Sequence, residues 1–292
     1  MKNELVKSLT FAASVIALAC GGQGISRAQN VFFSSSDNNI YEVAPGGAVT
    51  TYATGLSEPY GLAFNSSGDL FAANSGDGTI SEITPGGTVS QFASGLSEPS
   101  QMVINQSGDL FTADYGDGTI SEITPDGTVT PFASGLGAPI GIAIDGSGNL
   151  FVSDNVYGDI VKITPDGTVT PFAASGLTDP ISLAFNSNGD LFAADLLENC
   201  ISEIAPDGTV TTFATGFSEP YGLTGDDSGD LFEADVGGDA INEIDPAGTV
   251  TPYATDVPGG LMLTFQPAPE PSTLALAGLG TVAGLIFLGR RK

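Results

Sequence analysis

The residues most able to do chemistry flank a recurring proline. They read Glu58-Pro59-Tyr60, Glu98-Pro99-Ser100, Asp179-Pro180-Ile181 and Glu219-Pro220-Tyr221, with Ala138-Pro139-Ile140 and Val257-Pro258-Gly259 in the same series. If that series follows a structural repeat, Glu58, Glu98, Asp179 and Glu219 converge on one mouth. Converging carboxylates repel unless they share a hard cation such as Ca2+ through oxygen ligands, or unless some pKa values rise. The plainer alternative is a rim too wide for the four acids to share an ion. Tyr60 and Tyr221, at the same mouth, either stack on a sugar as a ligand site or serve as packing residues. Asn186, Asn188 and Asp190, like Asp145, Ser147 and Asn149, alternate oxygen side chains as calcium loops do. They lack the later bidentate Glu, and they read as hairpin turns closed by their own side chains. Asn74, Asp114, Asp154, Asp195 and Asp235 read the same way, bonding the backbone of the following loop. The chain has no histidine. Cys200 is alone outside the N-terminal leader, so it reads as a small buried apolar residue.

These residues sit within a repeat. The motif Asp/Asn-Leu/Val-Phe begins at Asn30, Asp69, Asp109, Asn149, Asp190 and Asp230, spaced 39, 40, 40, 41 and 40 residues apart. A fixed period of this length signals a propeller, solenoid or array. The second copy holds four short β segments, rich in Ile, Val, Phe, Leu and Thr and separated by turn residues. They are a (61–64), b (69–73), c (79–83) and d (88–93). Segments a and b are apolar throughout, as strands covered on both faces must be. Segment d carries Pro in TVTPF, which is tolerated on a sheet edge and not inside one, so d lies outermost. Turns such as NSSGD and TPDG supply Pro to preset φ and Gly to accept positive φ. The first copy lacks an a strand, and a surplus a-like segment, 260–265, follows the last. A ring solves both. The expected fold is all-β, a six-bladed β-propeller over residues 29–266, in which N-terminal strands b, c and d and C-terminal strand a form one composite blade.

SGDLFAANSGDGTISEI and its copies resemble NHL-type propeller repeats, which are related to the regucalcin/gluconolactonase group. The resemblance covers residues 30–265 and implies a six-bladed propeller with a central channel lined by strand a. In metal-dependent lactonases of that group, Asn or Asp often stands between the Pro and the following Gly. Here those places hold Tyr60, Ser100, Ile140, Ile181, Tyr221 and Gly259, so that site does not carry over. Propeller lyases that use His, and Trp/His-marked WD40 repeats, are excluded by composition.

Both ends read as addresses. Residues 1–28 combine Lys2 and Lys7, an apolar run from Leu9 to Cys20 and the small-residue site Ser26-Arg27-Ala28, the three parts of a signal peptide. A lipoprotein reading at Cys20 competes less well. The C-terminus resembles the PEP-CTERM sorting signal of Gram-negative bacteria: Pro269-Glu270-Pro271, an apolar run over 274–288, then Arg290-Arg291-Lys292. The resemblance implies a sorting segment over 267–292, passing anchoring in the inner membrane, and cleavage by an exosortase-type transpeptidase after signal peptidase has acted at the other end. Delivery to the cell surface or the extracellular matrix follows from the same resemblance. The alternative is a plain membrane anchor.

Charge agrees with export and narrows the partners. The net charge is -27. Glu4 and Glu270 lie outside the repeats, so 34 − 2 leaves 32 acidic residues there against one base, Lys162. Nucleic acid, whose binding depends on neutralising phosphates, is excluded as a partner. The expectation is a monomeric, exported binding or structural module, with exopolysaccharide or another surface protein as partner. Two alternatives stand beside it: a divergent metal-dependent lactonase-like hydrolase, and a calcium-dependent adhesive module.

Overall fold

The computed structural model describes residues 30–266. The signal peptide expected over 1–28 and the sorting segment over 267–292, with its apolar run 274–288, lie outside the described residues. Within them, 24 strands form six four-stranded antiparallel sheets, each ordered a-b-c-d from axis to rim. In blade 2 the strands are Pro59–Phe64, Leu70–Asn74, Thr79–Ile83 and Val89–Ser94. In blades 2 to 6 each inner strand begins at its Pro, in blade 2 two residues earlier than the apolar pattern suggests, and in blade 1 it begins at Gly260 as expected. Pro is acceptable there because a strand's first residue need not donate to the ladder.

Blade 1 is composite. The strand Gly260–Phe265 pairs antiparallel with Val31–Ser35, Val31 opposite Phe265 and Phe33 opposite Leu263. The first and last described residues meet as the Gln266 amide donates to the Asn30 carbonyl at 3.3 Å. Both ends of the propeller therefore leave from one face, the exit face, which also carries the a–b and c–d turns. The opposite, entry face carries the d–a connections and the b–c turns.

The repeated Phe of the Leu-Phe motif has a specific partner. In every blade the c–d register skips one residue of strand d, the aromatic one, as at Phe92 and Phe132. This β-bulge turns the ring inward, onto the motif Phe of strand b. Phe71 meets Phe92 and Phe111 meets Phe132 at 4.9 Å, and Phe232 meets Tyr253 at 4.9 Å, all edge-to-face, the geometry that aromatic quadrupoles favour. The rest of the core lies between blades. Leu62, Leu70 and Ala72 of blade 2 pack against Phe32 and Ile40 of blade 1.

The a–b turns are side-chain closed, as their composition suggests. Asn65 Oδ1 accepts the Ser67 and Asp69 amides at 2.9 Å, and Asp145 does the same for Ser147 and Asn149. The acids ending strand b hold more than the loop that follows them. Asp154 accepts the Gly137 and Ala138 amides and Asp195 those of Thr178 and Asp179. They anchor the preceding d–a connection, and Asp154 also accepts the Val156 amide of the loop that follows, at 3.2 Å.

Candidate functional site

The entry end of the channel is closed by side chains. Tyr60 of blade 2 and Tyr221 of blade 6 meet across the axis, hydroxyl to hydroxyl at 2.7 Å, with ring centroids 5.9 Å apart. Ile140, Ile181 and Met262 pack beneath them, with Leu196 alongside. Burial, then the neighbouring Tyr221, pushes the Tyr60 hydroxyl well above its ordinary range, and burial raises Tyr221. The series position that the spacing assigns to Gly259 belongs instead to Leu261. Gly260 pairs with Ser35 as Pro59 pairs with Asn74. The loop 256–259 has the same length as 95–98, 135–138 and 216–219, but its proline stands two residues before the strand instead of at the strand's first residue, so counting from Pro258 misplaces the strand by two residues.

One residue deeper, small and large side chains alternate around the ring: Gly61, Gln101, Gly141, Ser182, Gly222 and Met262. The glycines are required by close approach. A Cβ at Gly61 would stand 2.3 Å from the Ser100 carbonyl oxygen, and one at Gly222 2.3 Å from that of Leu261. The Gln101 amide spans the space so freed. It donates to Ser182 Oγ at 3.1 Å and accepts the Ile142 amide at 2.9 Å. Beyond this layer the channel opens on the exit face as a cavity of about 320 Å³, with Gln101 at its deep end and walls formed by the second halves of the inner strands.

Glu58, Glu98 and Glu219 are exposed, and each holds a left-handed φ of 49° to 64°. Their backbones do the visible work. The Glu58 and Glu219 amides donate to the Asn38 and Asn199 side chains of the preceding blade, and the carbonyls of Glu58, Glu98 and Glu219 accept the amides of Ser75, Tyr115 and Val236. Asp179 is half-buried and accepts a hydrogen bond from Asn155 Nδ2. Burial, then the Asp195 carboxylate, raises its pKa. Among the described residues no three acidic or thiol side chains are grouped to hold a metal ion.

Among the described residues five acids are buried, Asp114, Asp154, Asp195, Glu233 and Asp235, and two of them, Glu233 and Asp114, each keep an oxygen without a hydrogen-bond partner. Glu233 replaces the Ala72 or Ala193 of other blades and is fully enclosed. It accepts from Asn242, and its second oxygen is unpaired; burial pushes its pKa up to about 8. Asp114 accepts from Ser121 and also keeps one unpaired oxygen; burial raises it to about 7. Cys200 is buried, with its thiol raised by burial.

The side chains most available on the entry face went unmarked in the sequence. Tyr115, Val156, Tyr157 and Leu197 lie in the b–c turns of blades 3, 4 and 5 and are 44%, 63%, 69% and 64% exposed. The signal was present. The b–c turn is where the copies differ most, reading SGDG, YGDG, NVYG and LLEN in blades 2 to 5.

A family model described as the virginiamycin B lyase family matches residues 48–264, and one for the PEP-CTERM protein-sorting motif matches residues 267–292. No curated protein matches the sequence. A chain of the nidogen/laminin complex is 17% identical with a TM-score of 0.75, over 83% of this chain and 99% of that one. A catalytically inactive histidine-to-alanine form of virginiamycin B lyase from Staphylococcus aureus, solved with quinupristin, is 19% identical with a TM-score of 0.62, over 83% and 94%. A protein described as a putative gluconolactonase gives 17%, 0.61, 76% and 86%. At these identities the likeness to solved structures is one of fold.

Proposed function

The chain belongs to the virginiamycin B lyase family, and on that premise we propose that it is a non-catalytic member acting outside the cytoplasm as a binding module of the cell surface or matrix. One observation carries this reading. A histidine-to-alanine change inactivates the Staphylococcus aureus lyase, and this chain has no histidine anywhere. Its single lysine in the repeats, Lys162, lies over the Phe151 ring, and its one thiol there is buried. Among the described residues the carboxyls raised to near neutral, Asp114 and Glu233, are buried, so neither is exposed on the entry face to replace an imidazole as a proton carrier. The lactonase alternative gains no support from the inner strands, whose axial residues are Tyr, Ser, Ile and Leu.

Export follows from the PEP-CTERM motif, which implies processing by an exosortase. Final placement at the surface or in the matrix is part of the proposal. The propeller fold suits it, since a ring of hairpins holds loops rigidly at one face while carrying no chemistry of its own. The acidic rim of Glu58, Glu98 and Glu219 keeps the displayed face soluble. Calcium at that rim is a lesser reading, tested by the same preparation: it requires a melting temperature that rises with added Ca2+.

The test has two arms. Quinupristin incubated with the full chain is expected to keep its chromatographic retention; a new product peak would make the chain a lyase and end the non-catalytic reading. In the native host, surface protease treatment is expected to remove the propeller from intact cells. Replacing Pro269, Glu270 and Pro271 by Ala is expected to leave the tail attached, read as a heavier protein by mass. A chain that stays in the cytoplasm with its motif intact would refute surface display.

A further inference from the structure

The geometry points to a binding site for an uncharged glycan on the entry face, over blades 3 to 5, built from Tyr115, Asn155, Val156, Tyr157, Asp179 and Leu197. This rests on the reading of the chain as an extracytoplasmic binding module, and it supplies that module with a site and a ligand class.

Between blades 3 and 4 a glycine changes sides. In blades 2, 3 and 6 the b–c turn carries a glycine facing a serine of the d–a connection. A Cβ on Gly76, Gly116 or Gly237 would meet Ser57, Ser97 or Ser218 Oγ at 2.7, 2.6 and 2.4 Å. In blade 4 the pair is reversed. The connection carries Gly137, and the turn carries Val156 and Tyr157, whose Cβ and ring carbon would lie 2.8 and 3.0 Å from a Cβ at Gly137. The close approach of the two loops is kept, and the exchange admits an aromatic ring. Tyr157 therefore rests on the Gly137 backbone with its other side open to solvent. An aromatic so placed gives contact area with little rotamer entropy left to lose.

The neighbouring turns extend this surface. Tyr115 of blade 3 is exposed and lies in the neighbourhood of Tyr60 and Tyr221. Leu197 of blade 5 projects beside Glu198, which accepts from Thr178 Oγ1. The Asn155–Asp179 pair, already hydrogen-bonded and half-buried, joins the aromatic turn of blade 4 to the connection that enters blade 5. The corresponding turns of blades 1 and 2 hold Ser36, Asp37, Ser75 and Gly76 instead. The apolar side chains thus occupy one half of the face only.

The pattern selects the ligand. The exposed apolar groups stand on three separate turns that also carry Asp117, Asn155 and Glu198, so a protein with a broad apolar face is a poorer match here. A pyranose chain has the matching alternation. Its C–H faces stack on Tyr115 and Tyr157, and its hydroxyls donate to Asp179 and exchange bonds with Asn155. With 32 acidic residues against one basic in the repeats, an anionic polymer is repelled. Gln266, the last described residue, lies on the exit face beside Asn30, on the opposite side of the propeller from this site.

The full chain, kept in mild detergent for its apolar tail, is applied to an array of neutral, acidic and basic glycans. Retention is expected on at least one neutral glycan and not on polyuronates. The Tyr115→Ala/Tyr157→Ala double variant is expected to bind at least tenfold more weakly with an unchanged melting temperature, because both rings are exposed. Tyr157→Phe keeps the ring and should retain binding, and Val169→Ser, on an outer strand, should bind as the parent does. No retention on any neutral glycan, or a double variant that binds as the parent does, overturns the site. A surface-displayed chain that fails on the array sinks this inference and leaves the proposed function standing. Failure of export, or a quinupristin product, sinks the proposed function itself.

Discussion

A chain ended after Pro258 is expected to lose its cooperative thermal transition, although it keeps 23 of the 24 strands. The missing strand, Gly260–Phe265, is the inner strand of blade 1 and the only one that joins the two ends of the ring. Met262 and Leu263 are buried, and Phe265 packs edge-to-face on Phe232 at 4.8 Å. Full burial of such side chains contributes about 1.5–3 kcal/mol each. Removing the strand also exposes Val31 and Phe33, which it covers, and opens the gap that Met262 fills between the inner strands of blades 2 and 6. Together these losses rival the 5–15 kcal/mol typical of a whole domain. In an open solenoid, where each repeat contacts only its neighbours, trimming a terminal strand costs local stability and leaves the rest folded. The two architectures are separated by circular dichroism melts of the full chain, of a chain ended after Gln266 and of one ended after Pro258. The first two should agree within a few degrees. A Pro258 chain melting within a few degrees of them would show that the ring does not depend on its closing strand.

That closure was legible because it is a matter of counting. A missing strand at one end and a surplus strand at the other are visible in the order of Asn30, Val31 and Phe32 against Leu261 to Phe265. The blade order was legible for a similar reason, since proline in TVTPF cannot sit inside a sheet. The binding face was not. Period-based reading favours what recurs, and Glu58, Glu98, Asp179 and Glu219 recur. Their recurrence has a backbone cause: three of the four hold the left-handed turn that begins an inner strand. Tyr115, Tyr157 and Leu197 do not recur, and divergence within a repeat is the better mark of a dedicated surface. Tyr60 and Tyr221 were singled out for their place beside the channel, but nothing in the spacing says that rings from blades 2 and 6 reach each other across the axis. That contact depends on the glycines at 61 and 222, which let adjacent inner strands approach. The two-residue error at Gly259 came from a proline placed inside the final loop, two residues ahead of the strand, where counting from proline fails.

Stability is expected to fall as pH rises from about 5 to 8.5, and Glu233 and Asp114 are the cause. Burial raises their folded pKa values to about 8 and about 7, against ordinary values of 4.5 and 3.8. Between each pair of values the native state holds a proton that the unfolded chain releases, so the unfolded state binds fewer protons and the free energy of unfolding decreases with pH. The contribution is fully present below the unfolded pKa and is lost as pH passes through the folded one. A tenfold change in a proton's affinity corresponds to about 1.4 kcal/mol, so the two groups together cost several kcal/mol at pH 8.5. With no histidine in the chain, no ordinary side chain titrates in this window to mask the effect. Below about pH 4 the sign reverses. Asp126, Asp145, Asp166, Asp207 and Asp245 have lowered pKa values, held down by hydrogen bonds from the turns they close. Protonating them removes those caps, which places the optimum near pH 5. Glu233→Gln keeps the shape of the protonated acid and should raise the midpoint of urea unfolding at pH 8.5 while leaving it nearly unchanged at pH 5. Asp114→Asn should act likewise, because blade 2 already carries the amide there: Asn74 donates to Ser81 Oγ at 2.9 Å in the same position. A midpoint that rises with pH in the parent, or variants that gain equally at both pH values, would show that these carboxyls are not held protonated in the fold.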